Sequence, residues 1–147
     1  MTGMFDVSKK IDTFRTATAR AVLRISSTTI HHIDNGNSPK GNIIEAAKIS
    51  GTMAAKKTYD LIPYCHPIPI DYVKVDVSIG ENQIEILVQV KSIWKTGVEM
   101  EALTAASIAS LTIYDMLKAV QRDITITDIR LESKTGGKRN YYAKPGE

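Results

Sequence analysis

The chain has 147 residues, with 19 basic and 16 acidic side chains, a net charge of +3 and a single cysteine. That length suits one domain, 1–147, burying roughly 70% of its unfolded surface; the mixed charges supply no basic stripe for duplex nucleic acid, and one cysteine excludes an internal disulfide framework. No apolar run approaches the roughly 18 residues of a membrane span, and the opening MTGMFDVSKK lacks a signal peptide's apolar core, so a soluble, cytoplasmic protein is expected.

Residues 1–16 are polar and weakly patterned, with Asp6-Val7-Ser8 offering a cap for a short turn. From Thr16 to Ser26, Ala19, Ala21, Leu23 and Ile25 alternate with Arg20, Val22 and Arg24, which predicts a strand and leaves a helix as the alternative. The run STTIHHIDNGNSPKGN holds Asn-Gly, Ser-Pro and Lys-Gly in close succession and predicts a loop with Lys40 at its tip. A helix is expected from Asn42 on the spacing of Ile43, Ile44, Ala47, Met53 and Ala54, weakened by Gly51 and ended before Pro63. Pro63, Pro67 and Pro69 then forbid helix and hold Cys65 and His66 in a stiff extended loop. Tyr72 to Ile79 and Gln83 to Trp94 both alternate, and Gly80-Glu81-Asn82 joins them as a β-hairpin.

From Lys95 to Asp123 the chain has no glycine or proline after Gly97, and most of it is expected to be helix. At about 100° per residue, Ala102, Ala106, Ala109, Ile113, Met116, Leu117 and Val120 form a core face. The opposite face carries Thr104, Ile108, Leu111, Asp115, Lys118 and Arg122. A helix apolar nearly all round is buried on both sides, which predicts a second covering layer with Asp115 and Lys118 at its edge. The bland alternative is an exposed i,i+3 ion pair. Glu99 and Glu101 share one face only if the chain is extended there, so the helix is expected to begin near Glu101.

A last strand follows through Ile124, Ile126, Ile129 and Leu131, and the tail SKTGGKRNYYAKPGE is expected to be loop. Strand, helix, strand, strand, helix, strand is the order of a ferredoxin-like split βαβ unit (βαββαβ), an α+β fold whose helices cover one face of an antiparallel sheet. The open face needs cover, and a second copy of the chain is the candidate.

Lys134-Thr135-Gly136-Gly137-Lys138 resembles a phosphate loop in composition, since adjacent glycines turn amides toward an anion, but it lacks the Walker spacing. By itself it reads more simply as a solvated turn. Adjacent Cys65 and His66 lack the spaced pairs of a structural zinc site and are expected to point to opposite faces of an extended loop; no metal site is predicted. Histidine side chains titrate near neutral pH, which keeps His66 a candidate for binding or proton transfer.

With these residues in view, the chain resembles the cyclic pyranopterin monophosphate synthases of molybdenum cofactor biosynthesis, the MoaC family. KTGVEMEALTAASIASLTIYDMLKAV, DLIPYCHPIPI and SKTGGK match its three signature blocks in order, and Asp6-Val7-Ser8 and Lys40-Gly41 resemble shorter ones. It departs from the family at Pro39 and Asn42, where histidine and aspartate are common, and at Arg139-Asn140, where Ser-Gly is common.

The resemblance implies a ferredoxin-like subunit in a hexamer built from dimers, with active sites at subunit interfaces. It implies conversion of 3′,8-cyclo-7,8-dihydroguanosine triphosphate to cyclic pyranopterin monophosphate with release of pyrophosphate. No redox cofactor is implied, and Mg²⁺ is compatible as a companion of the triphosphate. Asp115, Lys118 and Lys40 match catalytic positions. Tyr64, Cys65, His66, Met100, Glu101, Glu99, Lys134 and Arg15 match positions in the substrate pocket, and Lys138 is assigned to phosphate with Lys40 and Lys134. Asp115 and Lys118 are expected to move protons, with the Lys118 pKa lowered by its covering layer. The competing classes are a non-catalytic nucleotide-binding regulator of the same fold and a single-stranded RNA binder. The second wants aromatics on the sheet, and the predicted strands hold few of the chain's nine.

Overall fold

The computed structural model describes residues 2–33 and 36–145. Asn35 of the predicted Asn-Gly turn, and Gly146 and Glu147 of the predicted tail, lie outside the described residues. Four long strands form the sheet: β1 (Thr13–Arg24), β4 (Tyr72–Ile79), β5 (Gln83–Trp94) and β6 (Thr125–Thr135). Between β1 and β4 come α1 (Ser27–His32), a two-residue ribbon of β2 (Asn37–Ser38) and β3 (Gly41–Asn42), α2 (Ile43–Lys56) and α3 (Thr58–Leu61). The 19-residue α4 (Glu99–Leu117) links β5 to β6, and β7 (Tyr141–Tyr142) follows.

The sheet order is β4-β5-β1-β6-β7, with every neighbouring pair antiparallel. Strand β5 therefore lies between β1 and β4, while β1 lies between β5 and β6, so two βαβ crossovers interleave. One row of side chains is apolar throughout: Ala17, Ala19, Ala21 and Leu23 pair with Val90, Val88, Ile86 and Ile84, and all eight are buried. Helix α4 lies across β1, β5 and β6, and α2 lies on β4 beside α4. Both helices thus cover this row, which leaves the opposite face open. The predicted α+β class, with an antiparallel sheet and helices on one side, is what forms.

Gly51, expected only to weaken α2, has a packing reason. A Cβ there would sit 3.0 Å from Val75 Cγ2 and 3.4 Å from the Ala105 carbonyl oxygen, so glycine lets α2 close on α4 and the sheet together. Thr104, which the sequence placed on the outer face of α4, is buried. Ala102, Ala106, Ala109, Ile113, Met116 and Leu117 are buried as predicted, whereas Val120 lies beyond the helix end and is exposed. On the outer surface Leu111 is 52% exposed, with Ile49 and Met53 of α2 similarly open.

Several boundaries differ from expectation: a two-residue ribbon and β7 form where loop was read, and the expected helix from Asn42 is divided into α2 and α3. β1 begins at Thr13, three residues early, because Phe14 and Arg15 continue the pairing with Ile93 and Ser92. Residues 27–32, read as loop, form α1, capped by the Ser26 hydroxyl, which accepts from the Thr29 amide. The Lys134-Thr135 pair belongs to β6 rather than to a loop, and Gly136-Gly137 starts the turn back to β7.

Candidate active site

The topology gathers chemistry at two ends of the sheet. At one end lie the start of β1, the end of β5, the first turn of α4 and the end of β6. At the other lie the last turn of α4 and the β2–β3 ribbon.

At the first end, the loop after α3 is pinned to β5, since the Ser92 hydroxyl donates to the Pro69 carbonyl at 2.6 Å and the Ile93 amide to the Asp71 carboxylate at 2.9 Å. The N-terminal strap, turned by Ser8 N–H to Asp6 Oδ1 (2.9 Å) and Lys10 N–H to Val7 O (3.0 Å), crosses in front. His66 Nε2–H donates to the Phe5 carbonyl at 2.8 Å and ties strap to loop, which fixes that tautomer. A cavity of about 530 Å³ opens between them, lined by Phe5, Val7, Lys10, Tyr64, Cys65, His66, Gly97, Glu99, Met100 and Glu101 among others. Cys65 and His66 both face it, contrary to the expectation of opposite faces: the Cys65 amide turns back to the Ile62 carbonyl, so the loop is not extended there.

Glu99 and Glu101 are both helical, in the first turn of α4, rather than in an extended entry. They diverge: Glu101 is 3% exposed, while Glu99 Oε1 reaches Lys134 Nζ at 3.5 Å and its Oε2 is buried without a hydrogen-bond partner. Burial pushes the Glu101 carboxyl up to about 7, and the neighbouring Glu99 charge pushes the same way against a backbone hydrogen bond. Near neutral pH it exchanges a proton readily. Burial, then Glu101 and Glu99, also raise the Cys65 pKa, so this residue stays a thiol.

A second recess, about 460 Å³, shares Lys10, Thr96, Gly97 and Glu99 with the first and adds Arg15, Lys134, Gly136, Lys138 and Arg139. Arg15 is buried at its floor, with Nε and Nη2 donating to the Trp94 and Lys95 carbonyls at 3.0 and 3.2 Å. Gly136 and Gly137, at φ 93° and 82°, fold over it, and a Cβ on Gly137 would overlap Arg15 Nη1. Asn140 Oδ1 accepts from the Gly136 amide at 3.1 Å and closes the turn. Lys10 and Arg139 were missed in the sequence, Lys10 because its segment carries no periodic pattern.

At the far end, Asp115 bridges two lysines: Oδ2 lies 2.9 Å from Lys40 Nζ and Oδ1 lies 2.9 Å from Lys118 Nζ. The ribbon turn carries Lys40 to the last turn of α4. Hydrogen bonds from Lys118, then Lys40, hold the Asp115 carboxyl below its usual range, and Asp115 in turn raises Lys118. That overturns the expected depression of Lys118: all three side chains are about half exposed, and in the single chain no layer covers them. Sixteen residues at about 1.5 Å each put Asp115 about 24 Å from Glu99 along α4. Within one chain the candidates therefore fall into two groups: Arg15, Tyr64, Cys65, His66, Glu99, Met100, Glu101, Lys134 and Lys138 together, and Lys40, Asp115 and Lys118 apart.

The antiparallel α+β domain thus sets a buried carboxyl cavity beside a cationic trough. Residues 4–137 match the model of the MoaC family. The chain is 47% identical over 141 residues to the cyclic pyranopterin monophosphate synthase of Streptomyces avermitilis, covering 96% of this chain and 83% of that one. It is 48% identical over 146 residues to the synthase of Nostoc sp., covering 97% and 86%. Against the Aquifex aeolicus synthase it is 42% identical over 139 residues, covering 95% of this chain and 55% of the relative. The chain belongs to the MoaC family.

Proposed function

We propose that the chain is a lyase of molybdenum cofactor biosynthesis, converting 3′,8-cyclo-7,8-dihydroguanosine triphosphate to cyclic pyranopterin monophosphate and pyrophosphate. The observation that carries it is the shared wall of the two recesses. Glu99, Gly97, Thr96 and Lys10 border both, so a ring system in the carboxyl cavity has its polyphosphate beside Arg15, Lys134 and Lys138. A non-catalytic nucleotide sensor needs the trough but not the acid-bearing cavity, and the relatives' names disfavour it.

In this reading Glu101, with its carboxyl near neutrality, passes protons to and from the rearranging rings, and His66, Tyr64, Cys65 and Met100 hold them. A sugar hydroxyl then attacks the α-phosphorus, its proton going to a base, while the bond from that phosphorus to the bridging oxygen breaks. Arg15, Lys134 and Lys138 offset the charge gathering on the leaving pyrophosphate. Asp115 and Lys118 complete proton transfer and Lys40 the charge. No redox cofactor is required, and Mg²⁺ is compatible as a companion of the triphosphate.

Since about 24 Å separates the two groups along α4, they serve one site only when different copies supply them. The proposed subunit is ferredoxin-like and assembles as a hexamer built from dimers. Exposed Leu111, Ile49 and Met53 on the helices, and Phe14, Leu87 and Ile93 on the open sheet face, support such cover. The family's biosynthetic role supports a cytoplasmic enzyme; among the described residues no helix is long and apolar enough to cross a membrane.

Single-turnover assay with the purified cyclised triphosphate tests this. The wild type forms cyclic product and stoichiometric pyrophosphate, and Asp115→Asn keeps fold and assembly yet forms neither. Near-normal turnover in that variant removes Asp115 from the mechanism.

A further inference from the structure

Gly97 sits where the carboxyl cavity meets the cationic trough, two residues before Glu99. Its φ is outside the left-handed region, so the backbone there accepts any L residue. Nor does helix geometry demand glycine, since Gly97 precedes the cap residue Val98. What does demand it is space. The three atoms nearest a Cβ built on Gly97 all belong to the Glu99 carboxylate: Oε2 overlaps it, Cδ lies at 3.1 Å and Oε1 at 3.3 Å. The same Oε2 is the buried oxygen without a hydrogen-bond partner. It is held there by packing against Gly97, with Oε1 and its loose contact to Lys134 as the other tether.

An unpartnered buried carboxylate oxygen is costly, and this one has cations nearby to go to. Arg15, Lys134 and Lys138 line the adjoining trough. We propose that Gly97 is a positioning residue: the absent side chain parks Glu99 Oε2 against the backbone and limits the carboxylate to its one loose contact with Lys134 through Oε1, off Arg15 and Lys138 where the substrate's phosphates bind. This rests on the function proposed above. A methyl group at position 97 drives the carboxylate from its niche toward the cations, where it acts as a built-in competitor of the anionic substrate. The effect falls on substrate binding more than on the chemical step, because the groups assigned to proton transfer keep their places.

The test is a four-protein cycle of wild type, Gly97→Ala, Glu99→Asp and Gly97→Ala/Glu99→Asp. The shorter acid withdraws the carboxylate from the niche, so the methyl group has less to displace. Gly97→Ala is expected to lower kcat/KM about tenfold, chiefly through a raised KM, and to change the Glu99→Asp enzyme by less than about threefold. If Gly97→Ala alone fails to fold, the two Glu99→Asp proteins still decide, since the proposal requires them to be near equal. An equal loss in both backgrounds overturns it, as does an unchanged KM or a loss confined to kcat. Calorimetry with inorganic pyrophosphate on the same proteins separates the two failures. Absent turnover with pyrophosphate binding weakened by Gly97→Ala only beside native Glu99 removes the synthase reading and keeps the Gly97 role; a weakening of equal size in both backgrounds, or none, removes the Gly97 role.

Discussion

Replacing Glu101 with glutamine removes a carboxyl that burial holds protonated up to about 7. In the unfolded chain this group ionises near 4.5. Below that value it is protonated in both states and contributes no pH dependence. Between 4.5 and about 7 the unfolded chain gives up its proton while the folded one keeps it, so stability falls as pH rises. Above about 7 the full penalty is present. A displacement from 4.5 to about 7, at about 1.4 kcal/mol per tenfold in proton activity, comes to about 3 kcal/mol. Glutamine is close in shape and does not titrate. Glu101→Gln is therefore expected to match the wild type at pH 4.5 and to exceed it at pH 8.5, by about 6–12 °C in Tm for a chain this size. Thermal unfolding monitored by circular dichroism at both pH values, at one fixed protomer concentration because assembly shifts Tm, makes the measurement. Parallel pH dependence in the two proteins, or a variant less stable at pH 8.5, refutes the assignment of a neutral-pH carboxyl. Turnover should fall in the same variant, since a group that cannot exchange a proton replaces one that does.

Gly137→Ala forces a side chain into positive φ and onto Arg15, so it should cost about 1–3 kcal/mol of stability and weaken inorganic pyrophosphate binding by calorimetry; retained binding argues against Arg15 as a phosphate ligand. Cys65, kept as a thiol by burial and two carboxylates, should react with iodoacetamide at pH 7.5 more slowly than an unperturbed cysteine. Cys65→Ser should keep measurable turnover, and fast alkylation or complete inactivity of that variant points instead to a thiolate nucleophile.

What the sequence disclosed follows from where one physical rule dominates. Alternation of Val73, Val75, Val77 and Ile79 and of Ile84, Ile86, Val88 and Val90 is regular and the turn between the strands is rich in polar residues, so the hairpin was legible. The core face of α4 was legible for the same reason. Glu99 and Glu101 were misread because the helical offset of about 200° was taken to forbid a shared site, whereas one carboxyl points into the cavity and the other across to Lys134, and both border the same space. α1 has six residues, too few for periodicity to register. Arg15 falls in the weakly patterned stretch before the predicted strand and entered through the resemblance; only the fold shows it buried beneath Gly136 and Gly137. The Lys40 contact with Asp115 joins residues 75 apart, beyond any local pattern; the family resemblance marked both as catalytic positions without joining them.

In the proposed site, Asp115 with its two lysines and Glu101 with its trough work together only across two copies. Co-expression of Asp115→Asn with Glu101→Gln, each expected to be inactive alone, tests it. Random pairing makes half of the two-fold interfaces mixed, and each mixed interface carries one site with both defects and one with neither. Recovery of about a quarter of wild-type turnover is expected; co-assembled protein with no activity above the parent variants means that a single copy supplies both groups.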